Sequence, residues 1–427
     1  MPISTPEYNL YNWSDLNFPT IEPSLRLDFA NARALDSRIT FTRASVATYV
    51  GKDRLIKTAG VNEPRFDHDP ATGESLGLLI EEERTNNITQ SNASNWSNTN
   101  VTRGTNTSQD VSPEGLNTAT IISETTGSGL HRIKSPNISF SDTRTFSIWI
   151  KRNSGTRDLY LNANAIMGAG LNFDFDTETL GSTTGTASFE RYPNQWYRFI
   201  LTGNGTGNTN GVYLQFTQSG NEGDDNYVGD TSNKFLVWGA QLEVGSFVTS
   251  HIPTSGSTAT REKEFPAIET SSIDFKDFTQ GGEGTLVCEF SNAGSTGSDI
   301  AVSFSGDTHN GATFVGLGTN SNRNAFNRVR VDATNTVLST DTNFTTTGFY
   351  KVAFGIGQSR CTLAVRGSSS GVLEDTSVSY DSTPYTKLIL GCDQTSSSSN
   401  NMISGTIKSV FYYPTLLSDT QLQTLTQ

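Results

Sequence analysis

The sequence is poor in the residues that metal sites and redox chemistry use most often. Among 427 residues there are only 3 cysteines and 4 histidines. Cys288, Cys361 and Cys392 match no zinc-binding spacing, and an odd number cannot pair completely within one chain. Free cysteine behaves as a small apolar residue, so we expect buried thiols and no intrachain disulfide that folding requires.

Positive charge and long apolar stretches are also scarce. The formal net charge is −13 and the sequence pI is about 4.8, which opposes binding to phosphate backbones or anionic membranes. No run approaches the roughly 18 apolar residues of a membrane-spanning helix, and Met1–Thr5 lacks the pattern of an export signal. We therefore expect neither nucleic acid nor membrane among its partners.

The patterns of common hydrolases are missing as well. A glycoside hydrolase needs two suitably spaced carboxylates, and the nearest approach to such a strand is Asp174-Phe175-Asp176. No Gly-x-Ser-x-Gly elbow occurs near a histidine, and we expect all four to be structural or solvated, namely His68, His131, His251 and His309. The sequence predicts a protein without catalytic residues.

What the chain does contain is a series of short alternating segments. Hydrophobic residues make up 34% and charged residues 17%, so Gly, Ser, Thr and Asn dominate the remainder. Thr145–Lys151, Gln195–Leu201 and Lys234–Glu243 alternate apolar and polar residues, and turn residues separate such runs. This spacing indicates an all-β fold of jelly-roll sandwiches.

The length exceeds what one sandwich needs, so we predict two sandwiches and an extra N-terminal segment. A turn-rich stretch and the charged run Arg261-Glu262-Lys263-Glu264 precede a second strand series. The predicted division is a docking or bracing segment at 1–90, a first sandwich at 91–260 and a second at 265–427. One helix is predicted at the C-terminus, with Ser418 as its N-cap.

A loop rich in acidic residues is the best candidate for a ligand site. Asp224, Asp225 and Asn226 flank Tyr227, and sugar binding combines an aromatic face with polar neighbours. This loop and the weaker one from Asp67 to Glu74 are also conceivable calcium sites, but neither has EF-hand spacing. Plain turns have the same composition, so a metal-free loop is favoured and no cofactor is predicted.

The tryptophans fall into two groups by their sequence context. Trp149, Trp196 and Trp238 lie within strand patterns and are expected in the core. Trp13 and Trp96 lie in polar segments, where the N-terminus or a partner is the expected contact.

Charged residues near the N-terminus suggest ion pairs. Arg43 and the run Glu81-Glu82-Glu83-Arg84 combine arginine forks with carboxylates, which form directional pairs. A run of three acids is more often a solvated face. The hypothesis is that some of these charges pair internally and fasten the N-terminal segment onto the first sandwich.

Three stretches carry a resemblance to a known class of protein. Residues from Leu27-Asp28-Phe29 to the run Gly77–Asn86 resemble a segment of bacteriophage virion proteins. Trp238–Gly245 with Thr249–Thr254 resembles the closing strand of carbohydrate-binding-like phage modules. The end, Gly405–Val410 with Tyr412-Tyr413-Pro414 and Leu417-Ser418, is similar to the last strand of concanavalin or laminin-G-like sandwiches.

The resemblance implies a virion component, such as a tail fibre, head fibre or decoration protein, assembled in the host cytoplasm. Its partners would be other virion proteins and host surface glycans, and it would act as a homo-oligomer, with a trimer favoured. The alternatives are a phage polysaccharide depolymerase and a bacterial carbohydrate-binding surface module.

Overall fold

The structure is a computed structural model of the chain. It describes residues 18–105, 111–218, 226–276, 282–293, 299–305, 314–319, 324–331, 334–339, 348–366, 371–377, 385–392 and 401–427. The described chain is almost entirely antiparallel β-sheet, which confirms the predicted all-β class. It forms two compact units, a central unit, Thr42–Glu264, and a split unit, Met1–Phe41 with Phe265–Gln427.

The boundaries of these units do not follow the predicted N-terminal segment of residues 1–90. Leu25–Asp28 pairs with Gly405–Tyr413 in the split unit, whereas the chain from Thr42 onwards packs within the central unit. The units change again between Glu264 and Phe265. Independent folding of the predicted domains stays a prediction.

Along the chain, the strands fall into three groups that precede, form and follow the central unit. Before the central unit lie β1 (Leu25–Asp28) and β2 (Ile39–Thr42). The strands of the central unit are β3 (Ala47–Val50), β4 (Ile56–Ala59), β5 (Phe66–His68), β6 (Ser75–Ile80), β7 (Arg84–Asn86), β8 (Ser97–Thr99), β9 (Val101–Thr105), β10 (Thr120–Glu124), β11 (Ser128–Gly129), β12 (Arg132–Lys134), β13 (Thr143–Ser154), β14 (Asp158–Asn162), β15 (Gly170–Asp174), β16 (Thr179–Thr184), β17 (Thr186–Tyr192), β18 (Trp196–Asn204), β19 (Tyr213–Thr217), β20 (Tyr227–Val228), β21 (Lys234–Val244) and β22 (Ala259–Arg261). The strands after it are β23 (Phe265–Glu269), β24 (Gly284–Phe290), β25 (Asp299–Ser305), β26 (Phe314–Thr319), β27 (Ala325–Val331), β28 (Thr334–Ser339), β29 (Tyr350–Gly357), β30 (Arg360–Val365), β31 (Val372–Asp375), β32 (Lys387–Leu390) and β33 (Gly405–Tyr413).

Two six-stranded sheets form the central unit. Sheet I has the order β17-β18-β13-β21-β10-β9, and sheet II has the order β16-β15-β14-β19-β12-β8. Apolar residues of both sheets share one core, for example Phe146 and Phe199 of sheet I with Phe173 and Leu214 of sheet II. Since successive strand residues point to opposite faces, each sheet presents its other set of side chains away from this core.

The tryptophans show how the core of the central unit is filled. Trp149, Trp196 and Trp238 are buried, as predicted. The expectation for Trp96 is wrong, because it is also fully buried and packs in the core between the sheets. Because the neighbouring residues in the sequence are polar, the sequence pattern does not reveal that this side chain belongs to the core. Trp13 lies outside the described residues.

Glycine 239 marks an irregularity in strand β21. The pairing of β13 with β21 shifts register between Ser147 and Trp149, and Gly239 has a φ of +70° there. A Cβ at this position would lie 2.6 Å from Cε3 of Trp149. Only glycine combines this backbone conformation with the close approach of the indole ring.

The split unit contains two further sheets and the longest helix that the structure describes. One sheet has the order β31-β30-β29-β24-β33 with β1 beside β33, and the other has the order β2-β23-β32-β25-β26-β27-β28. Phe304 of β25 and Tyr412 of β33 bring the two sheets together, with ring centroids 5.5 Å apart.

The helices are short. Helices α1 (Phe29–Ala32) and α2 (Asn164–Met167) comprise single turns that strand patterns do not reveal. Helix α3 (Asp419–Leu425) confirms the prediction, because Ser418 and Gln421 form a reciprocal capping box. No helix among the described residues is long and apolar enough to cross a membrane.

Cys288, Cys361 and Cys392 are buried, and burial raises the pKa of the Cys288 thiol well above its usual range.

Candidate functional site

Arg43, one of the residues of the ion-pair hypothesis, contacts a carboxylate far along the chain. Arg43 donates from Nη1 to Oε1 of Glu264 at 3.0 Å, and both side chains are fully buried. Arg65 donates from Nε to the same oxygen at 2.8 Å. From the sequence, Glu264 is only part of a predicted linker, because no local pattern connects it with Arg43, 221 positions away.

Glu81 is the second buried carboxylate of this network. Its Oε2 lies 2.8 Å from Nη1 of Arg65 and 2.9 Å from Nη1 of Arg261. Ser250 donates from its backbone N to Oε1 and from Oγ to Oε2. Burial alone would raise the pKa of Glu81, but Arg261, Arg65 and the Ser250 hydrogen bonds hold it at about 2. The carboxylate is therefore ionised and satisfied internally.

The remaining predicted charges lie at the edge of the network. Arg84 pairs with Glu82, and its guanidinium lies over the ring of Phe247 at 4.7 Å. Glu83 is exposed. Arg43, Arg65, Arg261, Glu81 and Glu264 thus form a closed structural cluster, called here the buried network.

The acidic loop predicted to bind a ligand lies largely outside the described residues, which include neither Asp224 nor Asp225. Asn226 is exposed, but Tyr227 is 8% exposed. His131 stacks on its ring at 4.7 Å and the guanidinium of Arg157 lies over the ring at 4.2 Å. The Tyr227 hydroxyl donates to buried Glu124, and burial together with this bond raises the pKa of the phenol. Ligand binding by this loop stays a prediction, while Tyr227 has a structural role here.

The second candidate calcium loop is held by its own backbone. Asp69 accepts hydrogen bonds from the backbone N of Ala71 and Thr72, the pattern of an Asx turn. Asp67 accepts from the backbone N of Val50, and burial raises the pKa of its carboxyl to about 7. Among the described residues, no three or more acidic, His or Cys side chains are grouped for a metal ion.

The nearest acid pair also has local partners. Asp174 accepts from the backbone N of Asp176 and Thr177, which lowers the pKa of its carboxyl. Asp176 pairs with Arg152. A general acid needs a raised pKa, which Asp174 does not have. Absence of catalytic activity stays a prediction.

The described histidines are buried. His251 packs against Trp149 and Trp238 with ring centroids 5.5 and 4.5 Å away, and burial lowers its pKa to about 3. His68 and His131 contact backbone carbonyls of Val50 and Gly127. These environments agree with the expected structural role, and His309 lies outside the described residues.

Sheet II places a group of polar side chains on the face opposite the core. On sheet II, Ile133, Leu214, Leu161 and Leu171 point into the core, so the alternate residues point to the opposite face. The cross-strand register aligns Thr99, Arg132, Gln215, Tyr160 and Asn172 in one row over five strands. A parallel row contains Lys134, Tyr213 and Asn162. These two rows are called here the polar face.

One end of the polar face contains a buried polar atom without a partner. Asn172 is 1% exposed, and its Oδ1 accepts no hydrogen bond in the described structure. Tyr160 stands directly opposite on β14, and Gln215 is the next member of the row. An unsatisfied buried oxygen costs about 1–3 kcal/mol, so the site favours a group that donates a hydrogen bond.

The other end of the polar face is basic and aromatic. The guanidinium of Arg132 lies 4.4 Å from the ring centroid of Tyr213, and Nζ of Lys134 lies 5.6 Å from it. Tyr213 is half-buried and donates from its hydroxyl to Oδ1 of Asn210 at 3.2 Å. Adjacent strands β8 and β12 end the sheet here, where Ser97 and Thr99 are exposed.

The split unit has a cavity of its own, of about 110 Å³. Its lining is mostly apolar, with Phe18, Ile21 and Phe411 among the contributing residues. Of its charged groups, Arg26 pairs with Glu22 and Lys351 donates to the carbonyl of Gln427. This cavity offers fewer convergent polar groups than the polar face.

Comparisons with known proteins leave the family open. No family model matches the chain, and no curated protein matches it either. Among solved structures, a heptameric SAP-like pentraxin from Limulus polyphemus is 13% identical, with a TM-score of 0.30 over 36% of this chain and 72% of its own. The CBM40 of a Ruminococcus gnavus sialidase, bound to α2,3-sialyllactose, is 15% identical, with a TM-score of 0.28 over 36% of this chain and 91% of its own.

A further solved structure aligns over more of the chain. The laminin α2 LG1-3 region is 11% identical, with a TM-score of 0.26 over 66% of this chain and 63% of its own. Similarities this remote carry no functional argument. They also lend no support to the virion resemblance, which stays a prediction.

Proposed function

We propose that the chain is a non-enzymatic glycan-binding protein and that the polar face of sheet II is its binding surface. The observation that carries this proposal is the accessible end of that face, where Arg132 and Lys134 lie against the half-buried ring of Tyr213. Cationic side chains donate hydrogen bonds to the oxygens of a sugar, and an aromatic ring contacts its apolar face.

Accessibility is confined to one end of the face. Thr99 is exposed and Arg132, Lys134 and Tyr213 are partly exposed, whereas Gln215, Tyr160 and Asn172 are buried. The accessible end therefore suits a polar ligand that contacts the ring of Tyr213 and accepts hydrogen bonds from the two cations.

Glycan-array binding of the full chain tests the proposal. We expect Tyr213→Ala to weaken binding by about tenfold or more, since it removes the exposed aromatic contact. The matched control is Tyr49→Ala, because Tyr49 is also half-buried in the central unit but lies on β3. Absence of binding to any glycan, or equal losses for both variants, contradicts the proposal.

The same glycans separate binding from hydrolysis. Incubating the full chain with each bound oligosaccharide should release no new reducing ends, because Asp174 has a lowered pKa and Asp176 pairs with Arg152. Reducing ends that increase with protein concentration would favour the depolymerase alternative instead.

We further propose that this binding serves a virion appendage or decoration protein that acts as a homo-oligomer, with three copies favoured. Support comes from the sequence resemblance and from avidity, since several weak sites on one assembly strengthen binding by about 10²–10⁴. Light scattering of the isolated protein and density of the intact particle test this step. A mass of 46.2 kDa in solution with isolated copies on the particle would contradict it.

A further inference from the structure

Arginines that stack on aromatic rings recur throughout the central unit, and they share a second feature. Arg84, Arg144, Arg152, Arg157, Arg191 and Arg198 each lie over an aromatic ring and also pair with a carboxylate. Arg191, for example, covers Phe189 and pairs with Glu178 at 2.9 Å. The ring orients each guanidinium, and the carboxylate neutralises it.

Arg132 departs from this pattern. It lies over Tyr213 at 4.4 Å, but no carboxylate of the described residues lies within ion-pair distance. Lys134, which shares the same ring, also has no acidic partner among the described residues. Two adjacent cations without a counter-charge in the described part of the chain contrast with a net charge of −13 for the whole sequence.

The acidic side chains at the far end of the same face have other partners. Asp158 accepts from the backbone N of Phe175 and lies 3.8 Å from Arg152, and Asp174 caps its own turn. Strand β19 separates β14, which contains Asp158, from β12, which contains Arg132. The basic end therefore keeps a local positive charge that the described part of the fold does not neutralise.

We infer that the glycan is acidic and that Arg132 and Lys134 bind its anionic group while Tyr213 contacts the sugar ring. This inference rests on the proposed function of the polar face and names the substrate class. A guanidinium fork binds a carboxylate or a sulfate through paired hydrogen bonds, and an ammonium adds a point charge. Uronic acids and sulfated sugars offer the same chemistry at this position.

Oligosaccharides that differ only in charge test the inference. The probes are an oligogalacturonate, its methyl-esterified neutral form, a heparin-derived oligosaccharide and its desulfated form, titrated calorimetrically into the full chain. We expect at least one acidic member to bind about tenfold more tightly than its neutral form. Raising the ionic strength should reduce that difference, since salt screens exposed charges. The responding pair distinguishes carboxylate from sulfate.

Three variants connect the effect to these side chains. Arg132→Gln and Lys134→Gln should each reduce binding of the acidic probe by about tenfold and leave binding of the neutral form unchanged. The matched control is Arg191→Gln, which removes an equal charge from another ring-stacked arginine. It should change the binding of neither the acidic nor the neutral probe. Melting temperatures show that each variant is folded.

The possible failures are distinguishable. If neutral and acidic forms bind equally and Arg132→Gln changes neither, the acidic-ligand inference is overturned while glycan binding survives. If no probe binds and the glycan array is also negative, both proposals fail. If a single-stranded oligonucleotide of equal charge binds as tightly as the acidic sugars, the site is a general anion site and the inference is also overturned.

Discussion

Charged side chains of the central unit have two contrasting environments. In the buried network, each carboxylate of Glu81 and Glu264 contacts two arginines, and the contacts extend over 221 positions of sequence. On the polar face, Arg132 and Lys134 share an aromatic ring and have no carboxylate among the described residues. The same residue types thus maintain the fold where their partners are internal, and remain available for a ligand where they are not.

The largest expected effect concerns Glu264, the centre of the buried network. Glu264→Ala leaves Arg43 and Arg65 buried without their carboxylate, and breaking a buried pair in this way costs about 3–5 kcal/mol. Thermal unfolding of the full chain should show a large fall in the melting temperature. Glu178→Ala is the control, because its pair with Arg191 is exposed and contributes at most about 1 kcal/mol. Equal shifts would show that the buried network contributes no more than a surface pair.

The pH dependence of stability should reveal Glu81. Its pKa falls from 4.5 in the unfolded chain to about 2 in the folded one, so the folded state binds fewer protons between these values. The stabilisation, roughly 3 kcal/mol, is present above pH 4.5 and is lost as the pH falls towards 2. Chemical denaturation at several pH values should give a smaller acid-induced loss for Glu81→Gln than for the unchanged protein. Parallel curves for the two would contradict the assigned role.

Arg43→Ala should have an intermediate effect. It removes one of the two arginines on Glu264 and the hydrogen bonds to the carbonyls of Ser45 and Gly60, but Arg65 still neutralises the carboxylate. We expect a loss of about 2–3 kcal/mol, measured as a shift in melting temperature. Lys57→Ala is the surface control, since Lys57 is 39% exposed and pairs with exposed Asp53. A shift no larger than that of the control would count against the buried network.

The smallest expected effect on stability is at the polar face. Arg132→Gln and Lys134→Gln remove no ion pair of the described structure, so the stability of both variants should match the unchanged protein within about 0.5 kcal/mol. A marked loss of stability would show that these cations have a structural role, and would remove the contrast between the two regions. The measurement is the same thermal unfolding experiment used for Glu264.

The sequence predicts local features of this molecule far better than long-range ones. Alternating segments such as Thr145–Lys151 predict strands, and Ser418 with Gln421 predicts the cap of α3, because both signals depend on neighbouring residues. The position of Trp96 escapes prediction because its segment is polar, and its burial depends on strands far along the chain.

The candidate sites follow the same rule. Local charge patterns draw attention to Arg43 and Glu81, but they give their partners Glu264 and Arg261 only the role of a linker. The polar face escapes prediction because Arg132, Tyr213 and Asn172 become neighbours only through the register of separate strands. A search for alternating segments with arginine or tyrosine on their polar side finds Arg132-Ile133-Lys134 and Tyr213-Leu214-Gln215.

The Arg43–Glu264 bond has a consequence for how this chain can be engineered. It joins the second residue of the central unit to the last, so the polypeptide enters and leaves that unit at one place. A segment with adjoining ends can be inserted into a loop of a host protein without stretching it. Residues 42–264 thus have the adjoining ends that such an insertion requires.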